Sequence, residues 1–229
     1  MLQNKICIIT GASGGLGKTV VRKFIDNGAT VIAVDAAKAA DLIESDSLVF
    51  HPCNILDESN VRQLMRDVTD QFKRLDAVLN LVGGIYPWSN VTEIETSVWE
   101  KTIELNLKSV FLCSREALKI MIPQRSGKIV NVGAGAGLKG GAQAGPYGAA
   151  KASVINLTET MAEENKPNNI QINAIIPSII DTPANRKAMP DADFSKWVRA
   201  GEIAELLIFL ASDASSGVTG SIIKIPGRV

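Results

Sequence analysis

The sequence predicts an α/β fold: a single domain over residues 1–229, doubly wound, with about seven parallel strands and helices on both faces. Three observations point there. Apolar, β-branched runs recur along the chain, stretches of helical period lie between most of them, and no repeat, linker or low-complexity tail breaks the alternation. Strands apolar throughout are buried on both faces, which requires helices above and below the sheet. A chain of 229 residues is long enough to bury one substantial core.

KICIIT at 5–10 reads as the first strand and runs straight into TGASGGLG at 10–17, with Gly11, Gly15 and Gly17 ahead of a helical period from Leu16 to Asn27. This turn has the chemistry of a phosphate cradle. Glycine lets the backbone approach a pyrophosphate, and the free N–H groups of the helix N-terminus face the anion. A plain tight turn is the bland alternative; the strand–turn–helix setting favours a Rossmann-type dinucleotide site. ATVIAV at 29–34 is the second strand and leads into Asp35. A carboxylate there accepts from both adenosine ribose hydroxyls and repels a 2′-phosphate. Gly14 leaves no cation inside the turn, and Lys38 is the nearby exception. NAD(H) is therefore favoured over NADP(H), with a solvated strand-end acid as the alternative.

SLVFHP at 47–52 is the third strand and holds His51, the one histidine. A Ser-His-Asp hydrolase would rest entirely on it, and a histidine-rich metal site is excluded, so no metal is expected. A helix from Glu58 to Phe72 leads to DAVLNLV at 76–82, the fourth strand. The next helical period, Val98 to Met121, carries Asn106 in its interior. Asparagine is a poor interior residue, so a side chain that breaks the ladder and holds a water would explain it; an exposed polar residue is the alternative. GKIVNV at 127–132 is the fifth strand, IQINAII at 170–176 the sixth and SIIKI at 221–225 the last.

After the fifth strand the chain reads NVGAGAGLKGGAQAGPYGAAK. Tyr147 and Lys151 stand four apart at a helix start and project from one face. An ammonium beside a phenol lowers its pKa from about 10, so the tyrosine passes a proton near neutral pH. In isolation such a pair is a common accident of helices; beside a dinucleotide turn it is not.

Lysine plus arginine and aspartate plus glutamate both number 24, so nothing favours nucleic acid or an anionic membrane as partner. Cys7, Cys53 and Cys113 lack CxxC spacing and suggest reduced, buried thiols. The opening MLQNKICIITGAS lacks an export signal, and no apolar run is long enough to span a bilayer. The expected location is cytoplasmic.

Together, TGASGGLG, Asp35, Asn80 opening NLVGG, Asn106 and YGAAK resemble the short-chain dehydrogenase/reductase family, over almost the whole chain. The resemblance implies an NADH-dependent oxidoreductase with Tyr147 as proton donor, Lys151 as its pKa and ribose partner and Asn106 in a water relay. It further implies a cofactor site of Gly11, Ser13, Gly15, Leu16, Gly17, Asp35, Asn54, Asn80, Val82, Gly83, Pro177, Ile180 and Thr182 with Tyr147 and Lys151. A homodimer or homotetramer, built on the helices holding Asn106 and Tyr147, is implied as well.

Two departures bear on the substrate. Members of that family usually carry a serine where this chain has Ala134; its hydroxyl gives a carbonyl substrate a second hydrogen bond, and such a donor is worth a few kcal/mol. Residues 181 to 197, DTPANRKAMPDADFSKW, resemble the dihydropteridine reductase branch, which also lacks the serine; Ser178 stands where glycine is common. The first expectation is reduction of a small-molecule substrate, a quinonoid dihydropteridine or similar electron-poor ring. Ala134, with Gly133, Gly135 and Gly137, would make an open wall for the flat ring, and Tyr86 or Trp88 a stacking face, core packing being the alternative for those aromatics. Reduction of ordinary carbonyls such as 3-oxoacyl chains or sugars, without serine, is the second reading. A non-catalytic nucleotide-binding paralogue is the third, against which Tyr147 and Lys151 argue.

Overall fold

The computed structural model describes residues 1–85 and 88–228. Seven parallel strands form one sheet: β1 (Ile6–Thr10), β2 (Thr30–Asp35), β3 (Leu48–Pro52), β4 (Ala77–Asn80), β5 (Gly127–Val132), β6 (Ile170–Pro177) and, at the far edge, β9 (Ile222–Ile225), in the order β3-β2-β1-β4-β5-β6-β9. These are the seven apolar runs of the sequence. Side chains alternate across each strand, and the two resulting faces bury separate clusters. Cys7 and Ile9 of β1 face Val20, Val21 and Phe24 of α1 (Gly15–Asp26) and Ile203, Leu207 and Leu210 of α8 (Ala200–Ala211). Ile6 and Ile8 face Leu64 and Val68 of α2 (Glu58–Phe72), Leu112 and Met121 of α4 (Ser109–Gln124) and Met161 of α6 (Gly145–Asn165).

The strand order reverses between β1 and β4. Thr10 pairs with Val34 on one side and Asn80 on the other, so the carboxyl ends of β1, β2 and β4 open into one crevice. Ligands of doubly wound sheets bind at such a switch point.

The helical period expected from Val98 to Met121 is interrupted. α3 (Thr96–Ile103) passes through a π-helical stretch at Glu104–Lys108 into α4, and Asn106 lies in that stretch. Four short elements went unforeseen. α5 (Gly135–Leu138) follows β5, and a parallel ladder of β7 (Ile180–Asp181) and β8 (Val198–Arg199) clasps the base of a loop that includes α7 (Pro183–Ala188). Among the described residues, no helix is long and apolar enough to cross a membrane. Cys7, Cys53 and Cys113 are buried, and burial pushes their thiols up, Cys53 to about 11 and Cys113 to about 12.

Candidate active site

The glycine turn fits an anion. Its first glycine, Gly11, has φ +69°, and a methyl group there would press on Val82. A Cβ at Gly17 would lie 2.1 Å from the Gly11 carbonyl oxygen, so α1 starts directly on the turn only because that side chain is absent. α1 has no capping side chain at Gly14 and no acidic residue in its first turn. Its leading N–H groups and the positive end of its dipole are thus left for a ligand. Leu16 packs inward against the core from this turn. Gly17→Ala is expected to cost about 1–3 kcal/mol through overpacking. It should also remove measurable dinucleotide binding by fluorescence titration; unchanged binding would show that the turn relaxes.

Asp35 closes β2 beside this turn. Its carboxylate accepts from the Ser13 backbone N–H at 3.0 Å and from Ala36 N–H at 2.8 Å, so the strand-end acid is fixed over the crevice. The Ser13 hydroxyl is spent within the protein, donating to the Ala37 carbonyl at 2.7 Å. Lys38 turns to Glu44 at 2.5 Å, with its ammonium 5.8 Å from the Phe50 ring centroid. Asn54 is exposed beyond the end of β3, its side chain accepting from Leu56 N–H at 3.1 Å. On the opposite side, Thr182 caps α7 and lies against the turn: a Cβ at Gly15 would be 3.0 Å from the Thr182 Cβ. Pro177 and Ile180 lead the chain from β6 to this point. Ser178, where glycine was the expectation, needs no left-handed backbone, and its hydroxyl donates to the Pro226 carbonyl at 2.8 Å.

Tyr147 and Lys151 share one face of α6, as their spacing requires. Lys151 is 2% exposed and donates to the Val132 carbonyl at 2.8 Å. Gly83 lies on its head: a Cβ there would stand 3.1 Å from Lys151 Nζ and 3.0 Å from Asn106 Oδ1. Burial holds the lysine down to about 8 and raises the Tyr147 phenol. The expected lowering of the phenol by the ammonium is thus corrected. Nζ is 5.8 Å from the Tyr147 ring centroid and directed to Val132, so desolvation governs and the phenol is held as an acid.

Two asparagines have their side chains placed by hydrogen bonds within the protein. Asn106 does break the helical ladder, but its side-chain amide donates to the Gly84 carbonyl at 2.9 Å and the Thr102 carbonyl at 3.0 Å, and its oxygen accepts from Gly84 N–H at 3.1 Å. With both amide protons spent, the side chain fixes the corner at 83–84. Asn80 is buried and donates to Asn131 at 2.8 Å and Ser114 at 3.1 Å, and Asn131 donates on to Thr158 at 2.9 Å. Its amide faces the interior between β4, β5, α4 and α6, not the crevice; its part is to hold the sheet beneath it.

The glycine and alanine run has a packing origin. A Cβ on Gly133 would lie 2.4 Å from Ile176 Cδ1, and one on Gly137 2.6 Å from the Lys151 backbone. Neither forms an open wall: the first packs on β6 and the second lets α5 touch the backbone of α6. At Gly135 there is open space, but Gly135 does not line the cleft beside Tyr147. Ala134, half-buried, begins α5 at the end of β5.

Beside Tyr147 lies a cleft of about 110 Å³, walled by Ile85, Trp88, Ile94, Val98, Ala144 and Pro146. Trp88 meets Tyr147 edge-on, at 6.4 Å between centroids and 71°. Tyr86 lies outside the described residues. Glu93 and Glu95 are the charged residues among the described lining, which holds no lysine or arginine. The segment 181–197 contributes nothing to this lining. Its distinctive residues bond to one another: Arg186 pairs with Asp181 at 2.6 and 2.9 Å, Asn185 donates to Ile180, and Phe194 packs on Trp197 at 4.8 Å. Their pattern builds the loop. Among the described residues no cluster of metal-ligating side chains occurs.

A family model described as short chain dehydrogenase matches residues 5–193. The chain is 34% identical to the 3-oxoacyl-[acyl-carrier-protein] reductase FabG of Thermotoga maritima, over 99% of this chain and 98% of that one. It is 33% identical to the cis-4-hydroxycyclohexanecarboxylate dehydrogenase of Sinomonas cyclohexanicum, over 97% and 95%. Among solved structures, ElxO with NADP bound superposes with a TM-score of 0.91 at 28% identity, over 98% of each chain.

Proposed function

The chain belongs to the short chain dehydrogenase family and is an oxidoreductase of that kind, and from that premise we propose that it prefers NADH and reduces a flat, electron-poor ring of the quinonoid dihydropteridine class. When bound, the dihydronicotinamide supplies a hydride. The protein's own residues do the rest. The Gly11–Gly17 turn and the α1 N-terminus hold the pyrophosphate. Asp35 accepts from the adenosine ribose, Lys151 donates to the nicotinamide ribose, and Tyr147 gives the proton that neutralises the reduced substrate.

The carrying observation is the make-up of the cleft at Tyr147: apolar and aromatic walls, with Glu93 and Glu95 and no cation among the described lining residues. Ala134, at the start of α5 and outside that lining, offers no hydroxyl to a ketone. Such a lining repels substrates carried on phosphate-bearing arms and suits a neutral ring with N–H donors. Electrons added to such a ring spread over several atoms, so less charge collects on one oxygen than in a ketone. The relatives' names favour the second reading, reduction of a simple carbonyl. A panel with NADH decides: quinonoid dihydropterin generated in situ, acetoacetyl thioester and cyclohexanone. Fast pterin turnover with weak ketone turnover is expected. Robust thioester reduction without pterin turnover would establish the second reading.

The NADH preference is supported by Asp35 and by the turn of Lys38 toward Glu44. That exposed pair is worth under about 1 kcal/mol, so the carboxylate is the stronger determinant. Asp35→Ala is expected to weaken NADH binding and narrow its margin over NADPH in fluorescence titrations; tighter NADPH binding by the unaltered protein would overturn the preference. Exposed Trp99, Phe111 and Ile122 on α3 and α4 support a homodimer or homotetramer through those helices. Analytical ultracentrifugation measures it.

A further inference from the structure

We propose that Gln143 is a substrate-contacting residue whose side-chain amide hydrogen-bonds a polar atom of the bound substrate. The proposal rests on the oxidoreductase reading of the same cleft. Gln143 lines the cleft together with Tyr147 and Pro146, two residues before α6 begins. Its backbone has φ +66°. It is the third residue of a turn from Gly141 to Ala144, closed by the Ala144 N–H to Gly141 carbonyl bond at 3.3 Å. That position favours glycine or asparagine, and a longer side chain there is strained.

The other non-glycine residues at positive φ have local reasons. Lys73 and Arg125 end α2 and α4, Asn169 ends a 3-10 turn, and Asn4 is a residue type that tolerates the region. Gln143 ends no helix, although glycines stand at 140 and 141 in the same loop. Strain kept in a cleft beside a proton donor points to use of the side chain. An amide N–H is neutral, so it adds a donor without setting a cation against Glu93 and Glu95. Among the described lining, two hydroxyls accompany that of Tyr147: Thr102 is spent on the Val98 carbonyl at 2.7 Å, and Ser89 follows Trp88 on the loop after β4.

The test uses Gln143→Gly, Gln143→Glu and Ser89→Ala. Each is assayed with NADH on whichever of quinonoid dihydropterin, acetoacetyl thioester or cyclohexanone the unaltered protein reduces. Gln143→Gly relieves the backbone, so its thermal midpoint should equal or exceed that of the parent. Its kcat/KM should nevertheless fall about tenfold, as for loss of one hydrogen bond to the substrate, with NADH affinity unchanged. Gln143→Glu, an acceptor of the same length, should fall at least as far. If Gln143→Gly stays within threefold of the parent, or if Ser89→Ala carries the loss instead, the inference is wrong. Ketone turnover without pterin turnover would refute the substrate class alone, because the Gln143 comparison is then read on the ketone.

Discussion

Tyr147→Phe is expected to lower turnover by about two to four decades, the range for loss of a positioned general acid. NADH affinity and thermal midpoint should barely move. The ring stays, and with it the edge contact to Trp88 and the packing at the head of α6; only the hydroxyl is lost. Burial raises the phenol, so it is protonated throughout the neutral range and is the acid form that a reduction consumes. The sign follows: the rate in the reductive direction should not depend on phenol ionisation below its ordinary pKa of about 10. Stopped-flow measurement of single-turnover NADH oxidation checks this without interference from product release. If Tyr147→Phe retained parental single-turnover rates, proton donation would lie elsewhere, and a non-catalytic nucleotide-binding role would return.

How much of this site could be read from the sequence depends on the range of each interaction. The seven strands were legible because each is a continuous apolar run, and burial on both faces leaves no alternation to blur. The glycine turn was legible because its chemistry lies within eight consecutive residues, 10–17. Tyr147 and Lys151 were legible because helical spacing alone puts them on one face. Asn106 was half legible. Its poor helix propensity announced a broken ladder, but its partners, Gly84 and Thr102, became visible only when the π stretch set it beside the corner after β4. Asn80 shows the limit: its partners Ser114 and Asn131 are 34 and 51 residues away, and nothing local distinguishes an asparagine turned inward from one facing a ligand. The glycines at 133 and 137 show the same limit from the other side. A missing side chain signals close approach, but Ile176 and the α6 backbone could not be identified from the run itself. α8 escaped notice because its eleven-residue core, GEIAELLIFLA, is apolar on nearly every face and weakens the helical period. The loop at 181–197 was recognised by pattern, yet the pattern encodes that loop's internal bonding and not the cleft.

Lys151→Met is expected to do two opposite things: abolish most activity and stabilise the fold. The lysine is 2% exposed, with its ammonium bonded to the Val132 carbonyl, and burial depresses its pKa from 10.5 to about 8. A base whose folded pKa lies below its unfolded value opposes folding while it is charged. Below pH 8 both states carry the proton and the opposition is complete. Between 8 and 10.5 the folded state releases its proton first, so parental stability climbs with pH; above 10.5 the opposition is gone. The depression corresponds to about 3 kcal/mol. Methionine is close in length and has no charge to desolvate, so Lys151→Met should gain about 1–3 kcal/mol at pH 7, less the lost Val132 bond. Urea unfolding at pH 7 and pH 10 should show the variant's advantage shrinking at the higher pH. Turnover should fall by about two to three decades, as for loss of a buried electrostatic donor, with weaker NADH binding because the ribose loses its partner. Parental activity itself should decline as pH passes 8, where the cation is lost. A variant less stable than the parent at pH 7 would show that the Val132 bond outweighs desolvation. Retained turnover would remove Lys151 from the chemistry altogether, leaving it only as the post on which Gly83 rests.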